Sequence, residues 1–324
     1  MRFGTAEAAP GELAKGFIEL GYYPDGPLVS PVLLARGASP GPRLLVQCLI
    51  HGGENVGPVS LARFLREIDL SALKGSIAAL LVANPLGART HSRLTPQDGM
   101  NLNRVFPGKP DGTVSEQLAD RLLSIAGAEG GDAVLDLHSG GELTITAHYV
   151  IFDAKGDGAA ERESRRLAGC VGSRFQWGSS EDWLDGAYFT NVTRQHNKAA
   201  LIVESGGGAR VTEDDLTNFR VTLHGLTRAL GMLPGEVPEV SDIRHGGNAV
   251  HVKCRRGGYW RPLIAPGDDM VGGQPMGEMI DIFGEVVETI TCPLPRAWVG
   301  SIKRAWMPLF NGDQVVEVVE RIDA

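Results

Sequence analysis

The sequence lacks a long hydrophobic run. Its apolar stretches, such as IAALLVA at 77–83, fall far short of the roughly 20 residues needed to cross a bilayer as a helix. The opening MRFGTAEAAPGELAKGF has no continuous apolar core behind its basic start, so no secretory signal is read there. Cysteine is scarce and dispersed. Cys48, Cys170, Cys254 and Cys292 form no CxxC pair and no disulfide framework, which fits a reducing cytoplasm. Basic runs are also absent. The 31 Lys and Arg are scattered among 39 Asp and Glu, giving a net charge of -8, which argues against a nucleic-acid partner. There is neither an internal repeat nor a low-complexity tract.

The 324 residues are 43% hydrophobic and 22% charged, enough to bury a sizeable core in one large or two smaller domains. Runs at 44–50 (LLVQCLI), 77–83, 133–137 (AVLDL) and 199–203 (AALIV) read as strands buried on both faces. Between them, Val56, Val59, Ala62, Leu65 and Ile68 have helical spacing. Thr113 with Glu116 opens a helix to about 127, and Thr212 with Asp215 another to about 231. Alternating strands and helices predict an α/β domain over 1–236, a mixed, mostly parallel sheet flanked by helices. From 237 to 324 the texture changes to short Val- and Ile-rich runs punctuated by Gly and Pro, which predicts a second, all-β domain.

Chemistry gathers at the strand ends. His51 and Glu54 follow LLVQCLI in HGGE, His138 follows AVLDL, and Glu204 follows AALIV, each with glycines beside it. A polar strand end is dull in isolation, but in an α/β sheet ligand sites lie beyond the carboxyl ends of the strands. Two His and one Glu suit a tetrahedral zinc that keeps its fourth position for water. The metal polarises a carbonyl and acidifies water, and a further carboxylate must then move the proton. With His51, Glu54 and His138 as ligands, Glu204 is the candidate base. Two His and a Glu also suit manganese, cobalt or nickel in vitro. The loop at 84–108 carries Arg89, Arg93 and Arg104, any of which could clamp a carboxylate or steady an oxyanion. His91 in that loop is a lesser candidate for substrate contact, and His196 for a supporting role beside the metal. The aromatic and acidic stretch at 177–189 reads first as packing against the sheet.

HGGE, NPLGA, DGMNLNRVFPG, DLHSGG and VESGGG, in this order, resemble the succinylglutamate desuccinylase/aspartoacylase family, a branch of the zinc carboxypeptidase superfamily. The motifs span 51–208, and the β-rich tail resembles that family's C-terminal domain. The resemblance implies one zinc per chain on His51, Glu54 and His138, and Glu204 as the catalytic glutamate. It puts Asn103 and Arg104 on the substrate carboxylate. The arginine that steadies the scissile carbonyl falls on Arg93, with Arg89 as its rival. Many relatives carry Asp where this chain has Gly53, a position that is not a ligand.

The implied activity is zinc-dependent hydrolysis of the amide bond of an N-acyl amino acid or related small molecule. A metallocarboxypeptidase acting on a short peptide or modified amino acid would use the same residues. A non-catalytic binding protein on the same fold would be expected to lose at least one of them. The stretch at 272–290 also resembles the half-barrels of biotinyl and lipoyl carriers, which attach their cofactor to lysine. The absence of lysine between Lys253 and Lys303 argues against that role and leaves a cover over the zinc site as the expectation. A small-molecule substrate is expected, with neither membrane nor nucleic acid as partner, and a homo-oligomer is left open.

Overall fold

A computed structural model of the protein describes residues 1–322. A short ribbon, β1 (Arg2–Phe3) and β2 (Ala6–Glu7), precedes a long hairpin of β3 (Glu12–Tyr23) and β4 (Gly26–Arg36). There follow β5 (Ser39–Cys48), α1 (Val56–Glu67), β6 (Lys74–Leu80), α2 (Pro85–Arg89), α3 (Val114–Glu129), β7 (Ala133–His138), β8 (Thr144–Asp153) and α4 (Ala159–Ala168). Next come β9 (Phe175–Ser179), α5 (Tyr188–His196), β10 (Ala199–Gly207) and α6 (Glu213–Ala229). The last part is all strand: β11 (Arg244–Lys253), β12 (Gly258–Pro262), β13 (Asp269–Val271), β14 (Pro275–Ile280), β15 (Val286–Thr291), β16 (Arg296–Lys303), β17 (Pro308–Leu309) and β18 (Gln314–Arg321). No helix is long and apolar enough to cross a membrane, among the described residues.

The central strands alternate between two cores. Leu44, Val46 and Cys48 of β5, with Leu135 and Leu137 of β7, pack under α1, α4 and α6 through Leu61, Phe64, Leu167, Phe219 and Leu223. Leu45, Val134, Ala200 and Ile202 face the opposite way, toward α3 and α5. Because strand side chains alternate, Asp136 and His138 share the face of Val134, and Glu204 shares that of Ile202. Burial on both faces is why these runs read as continuous apolar segments rather than alternating ones.

The expectation of a mostly parallel sheet needs correction. Pairing is parallel at the centre, where β5 lies between β6 and β7 and β10 adds to β7. β8 is antiparallel to β10, however, and the β3–β4 hairpin joins β6 antiparallel through β4. Beyond β9, β11 pairs in parallel, and β18, β16 and β13 follow antiparallel, so one twelve-stranded mixed sheet runs from the hairpin to the tail. Apolar periodicity reports burial, not strand direction, and β3 alternates mostly exposed and half-buried positions that carry little apolar signal. β12, β14, β15 and β17 form a separate four-stranded sheet. Trp260, Met276, Met279, Val315 and Val318 belong to a third core in this region.

Two helix starts follow the capping chemistry read from sequence. Thr113 and Glu116 cap α3 reciprocally, as do Thr212 and Asp215 at α6. At α6 the Asp215 amide donates to Thr212 Oγ1 at 3.2 Å, and the Thr212 amide donates to Asp215 Oδ2 at 3.2 Å. Thr212→Ala therefore removes a cap from the helix that covers β10. Urea denaturation is expected to show a loss of about 1 kcal/mol with an unchanged m-value.

Candidate active site

β5, β7 and β10 run in parallel, so their carboxyl ends open on one rim. Just past the end of β5, Leu49 turns into the left-handed region at φ 55, a conformation that costs a non-glycine residue about 1–3 kcal/mol. The Leu49 carbonyl is held by the Asn84 amide at 2.9 Å. Gly52 comes so close to α2 that a Cβ would lie 2.0 Å from the Gly87 carbonyl oxygen, which only glycine permits. His51 is thus turned inward under α2. Glu54 lies just before α1, where the helix N-terminus favours a carboxylate.

These turns bring the three predicted ligands together. His51 Nδ1 is 2.9 Å from Glu54 Oε1, and His138 Nδ1 is 3.0 Å from Glu54 Oε2. The two rings cross with centroids 5.1 Å apart, and all three side chains are buried. Donors about 2.0–2.1 Å from a tetrahedral zinc lie about 3.3 Å from one another, so a small opening of this cluster would admit the ion. The outer nitrogens are anchored as well. His51 Nε2 is 2.9 Å from Asn101 Oδ1, and His138 Nε2 is 3.0 Å from Asp136 Oδ2. Asp136, two residues back on the same strand face, also accepts from Gln47 Nε2 at 3.3 Å. A carboxylate behind the imidazole is the usual device for fixing a metal-binding tautomer. The donor set, its burial and this support fit a divalent cation.

The electrostatics point the same way. Burial alone would raise the Glu54 carboxyl, but the two imidazoles hold it well below the usual carboxylate range. Burial also opposes charge on His138, yet Asp136 and Glu54 raise it well above its ordinary value. Burial and the Arg93 guanidinium lower His51 to about 4. Metal binding requires deprotonated ligands, so a cation at His138 Nδ1 would stand where the proton facing Glu54 otherwise does.

Glu204 pairs in register with His138 and ends the straight part of β10 before a bulge at Gly206. Its Oε1 is 3.9 Å from His138 Nδ1, and its Oε2 is buried without a hydrogen-bond partner. Burial pushes its carboxyl up to about 8, with Glu54 and Glu317 adding to the shift against His138 and Arg93. Arg93 Nη1 lies 3.3 Å from His51 Nδ1 and 3.5 Å from Glu54 Oε1, whereas Arg89 ends α2 exposed to solvent. Asn103 is buried, and its Oδ1 accepts from the Tyr188 amide at 2.8 Å. Arg104 Nη1 donates to the Asn103 carbonyl at 2.7 Å, and its guanidinium lies 4.6 Å over the Trp183 ring.

The seven predicted site residues line two cavities that share His51, Arg93, Arg104 and Glu204. An outer cavity of about 560 Å³ includes His51, Glu54, Arg93, Arg104 and Glu204. A smaller inner one reaches His138, Asn103, Trp177 and Trp183. The aromatic stretch at 177–189 thus contributes walls as well as packing. His91 stands at the rim, with Nδ1 3.2 Å from Glu142 Oε1. His196 is different: its Nε2 meets the Leu123 carbonyl at 3.0 Å between α5 and α3, so it does not support the cluster. Sequence reasoning missed Asp136, Asn101, Tyr149, His251 and Glu317. Asp136 is legible in hindsight from DLH, where i and i+2 share a strand face. Glu317 is hidden in the alternation of QVVEVVER, which reads as an ordinary strand.

Comparison with known proteins gives consistent findings. The profile of the succinylglutamate desuccinylase/aspartoacylase catalytic domain matches residues 40–230. The N-alpha-acetyl-L-2,4-diaminobutyric acid deacetylase of Halomonas elongata is 26% identical over 325 residues, covering 95% of this chain and 92% of that protein. The product-bound ectoine utilization protein EutE (DoeB) of Ruegeria pomeroyi has the same fold, with a TM-score of 0.84 at 22% identity over 98% of each chain. A succinylglutamate desuccinylase from Silicibacter sp. TM1040 aligns with a TM-score of 0.82 at 21% identity, covering 99% of this chain and 100% of that one.

Removing the carboxylate behind His138 should loosen metal binding without unfolding the protein. Asp136→Asn is expected to weaken zinc affinity about 10- to 100-fold in a competition titration, with the far-UV spectrum unchanged.

Proposed function

We propose that this chain, which belongs to the succinylglutamate desuccinylase/aspartoacylase family, is a zinc-dependent deacylase that cleaves the amide bond of an N-acyl amino acid or related small molecule. One observation carries the reading. Two imidazole Nδ1 atoms meet the two oxygens of Glu54 within 3.0 Å, and a second carboxylate, Glu204, stands beside them with one oxygen unpaired. The Halomonas elongata relative is named as a deacetylase of an N-acetylated amino acid, which supports the substrate class.

His51, Glu54 and His138 hold the ion in this reading. Bound there, a zinc ion supplies a Lewis acid and lowers the pKa of a water. Glu204 takes a proton from the attacking water on a carboxylate oxygen and returns it to the departing amine. Its buried position suits both tasks, because a carboxyl raised toward neutrality accepts and releases protons near physiological pH. Arg93 directs a guanidinium at the same spot and shares the charge that develops on the carbonyl oxygen. Arg104, held by the Asn103 carbonyl and the Trp183 face, binds the substrate carboxylate through paired N–H groups. Since Asn103 Oδ1 is engaged by Tyr188, its amide N–H₂ is the end offered to the same carboxylate.

The tail from 237 to 324 is, in this reading, a second unit that covers the site. Its His251, Lys303, Gln314 and Glu317 wall the outer cavity opposite the zinc ligands. The join falls between the end of α6 at Ala229 and the start of β11 at Arg244.

The reading is tested with zinc-loaded protein on N-acetyl and N-succinyl amino acids against dipeptides. Turnover of an N-acyl amino acid is expected, and a preference for dipeptides would favour a carboxypeptidase. Glu204→Gln is expected to keep one zinc per chain and to lose about 10²- to 10⁴-fold in kcat. Near wild-type turnover in that variant rejects Glu204 as the base.

A further inference from the structure

We propose that Glu317 makes this site select N-acyl amino acids whose side chain carries a positive charge. The inference rests on the deacylase reading above and adds the part of the substrate that the reacting groups leave undefined.

The inner cavity has one end fixed. Arg104 lies on its wall, stacked on Trp183, and no carboxylate lies within 4.0 Å of its guanidinium among the described residues. It is therefore open to a ligand's carboxylate. The wall also carries apolar Trp177, Ile151 and Ile202 beside the polar Arg93, Asn103, Tyr149 and His251. Its carboxylates are Glu204 and, on β18, Glu317, which lines both the inner and the outer cavity. In the deacylase reading Glu204 faces the reacting bond, which leaves Glu317.

Outside the groups assigned to the reaction, Glu317 is an enclosed carboxylate with few partners. Its side chain is 13% exposed, and its oxygens meet only the Tyr149 hydroxyl at 3.5 Å and the half-exposed His251 Nδ1 at 3.3 Å. Among the described residues no lysine or arginine nitrogen lies within 4.0 Å of it. Several other enclosed carboxylates do have such a partner. Asp153 has Arg194 at 2.8 Å, Glu278 has Arg261, and Glu288 has Arg255 at 3.2 Å. Burial raises the Glu317 carboxyl although His251 and the more distant Arg93 favour its charge, so its desolvation is offset only in part. A ligand ammonium removes that cost on binding.

The two groups thus set a polarity along the inner cavity: Arg104 for the α-carboxylate and Glu317 for a cationic side chain. Arg93 lines both cavities but lies against His51 and Glu54 and not within 4.0 Å of Glu317, and Lys303 lines only the outer one. A neutral side chain would leave Glu317 unpaired, and an acidic one would be repelled. The expected order is cationic over neutral over anionic.

The test uses zinc-loaded full-length protein and three substrates: Nα-acetyl-L-ornithine, Nα-acetyl-L-norleucine (the same length with methyl in place of ammonium) and Nα-acetyl-L-glutamate. The ornithine derivative is expected to exceed the norleucine derivative about 10- to 100-fold in kcat/KM, mainly through KM, with the glutamate derivative lowest. In Glu317→Gln the ornithine-to-norleucine ratio should fall to near one. Calorimetry with free L-ornithine and L-norleucine should show the same preference in wild type and its loss in the variant. A wild-type ratio of one or below overturns the proposal. So does an equal loss on all three substrates in the variant, which would mark Glu317 as general support for Arg104. If the variant does not fold, the wild-type ratio decides. Failure to hydrolyse any acylated amino acid would instead defeat the deacylase reading, while the calorimetry still judges Glu317 by itself.

Discussion

The geometry of this site depends on one buried carboxylate between two imidazoles. Glu54 is withdrawn from water, and each of its oxygens faces the Nδ1 of a different histidine. Neither histidine is near the other in sequence, so the contact exists only if β5 and β7 lie side by side, in parallel and in register. The register supplies this, pairing Cys48 with Leu137 so that the two chains leave the sheet together. A slip of one residue would turn His138 to the α1 and α6 face and leave Glu54 half-paired in a dry environment. Strand order and local chemistry therefore constrain each other.

That dependence explains why so much of the cluster is legible in the sequence. His51, His138 and Glu204 each follow an apolar run directly, and a strand buried on both faces announces itself by composition. Once three such runs are read as neighbours, their ends must share a rim, and glycines beside the polar residues leave space there. Capping pairs carry a similar local signal, which is why Thr113 and Thr212 place the starts of α3 and α6 closely. In each case the information lies within a few residues of the feature.

What the sequence conceals is set by distance along the chain. Nothing local distinguishes β8, antiparallel to β10, from a parallel neighbour, because both directions bury the same side chains. The choice between Arg93 and Arg89 turns on the path of a loop held by contacts such as the Gly52 amide to the Ser92 carbonyl at 2.9 Å. Glu317 and His251 become visible only when β18 and β11 fold against the rim, more than a hundred residues after His138. His196 shows the converse error. It lies eight residues before Glu204, but the turn of α5 directs its ring to the Leu123 carbonyl instead.

The same geometry divides the work between two parts of the chain. Most groups that would meet the reacting bond lie on or just past the ends of β5, β7 and β10, which are fixed on both faces by large cores, and Arg93 reaches them from the loop after α2. One strained residue, Leu49, lies there too, and such strain persists only where the surroundings over-determine it. The far wall comes from β11, β16 and β18, whose cavity-facing side chains point across open space rather than into a packed interior. In the proposed reading, a fold built this way would let the far wall change while His51, Glu54, His138 and Glu204 stay in place. Selectivity would then reside on the far wall and the reacting groups on the strand ends.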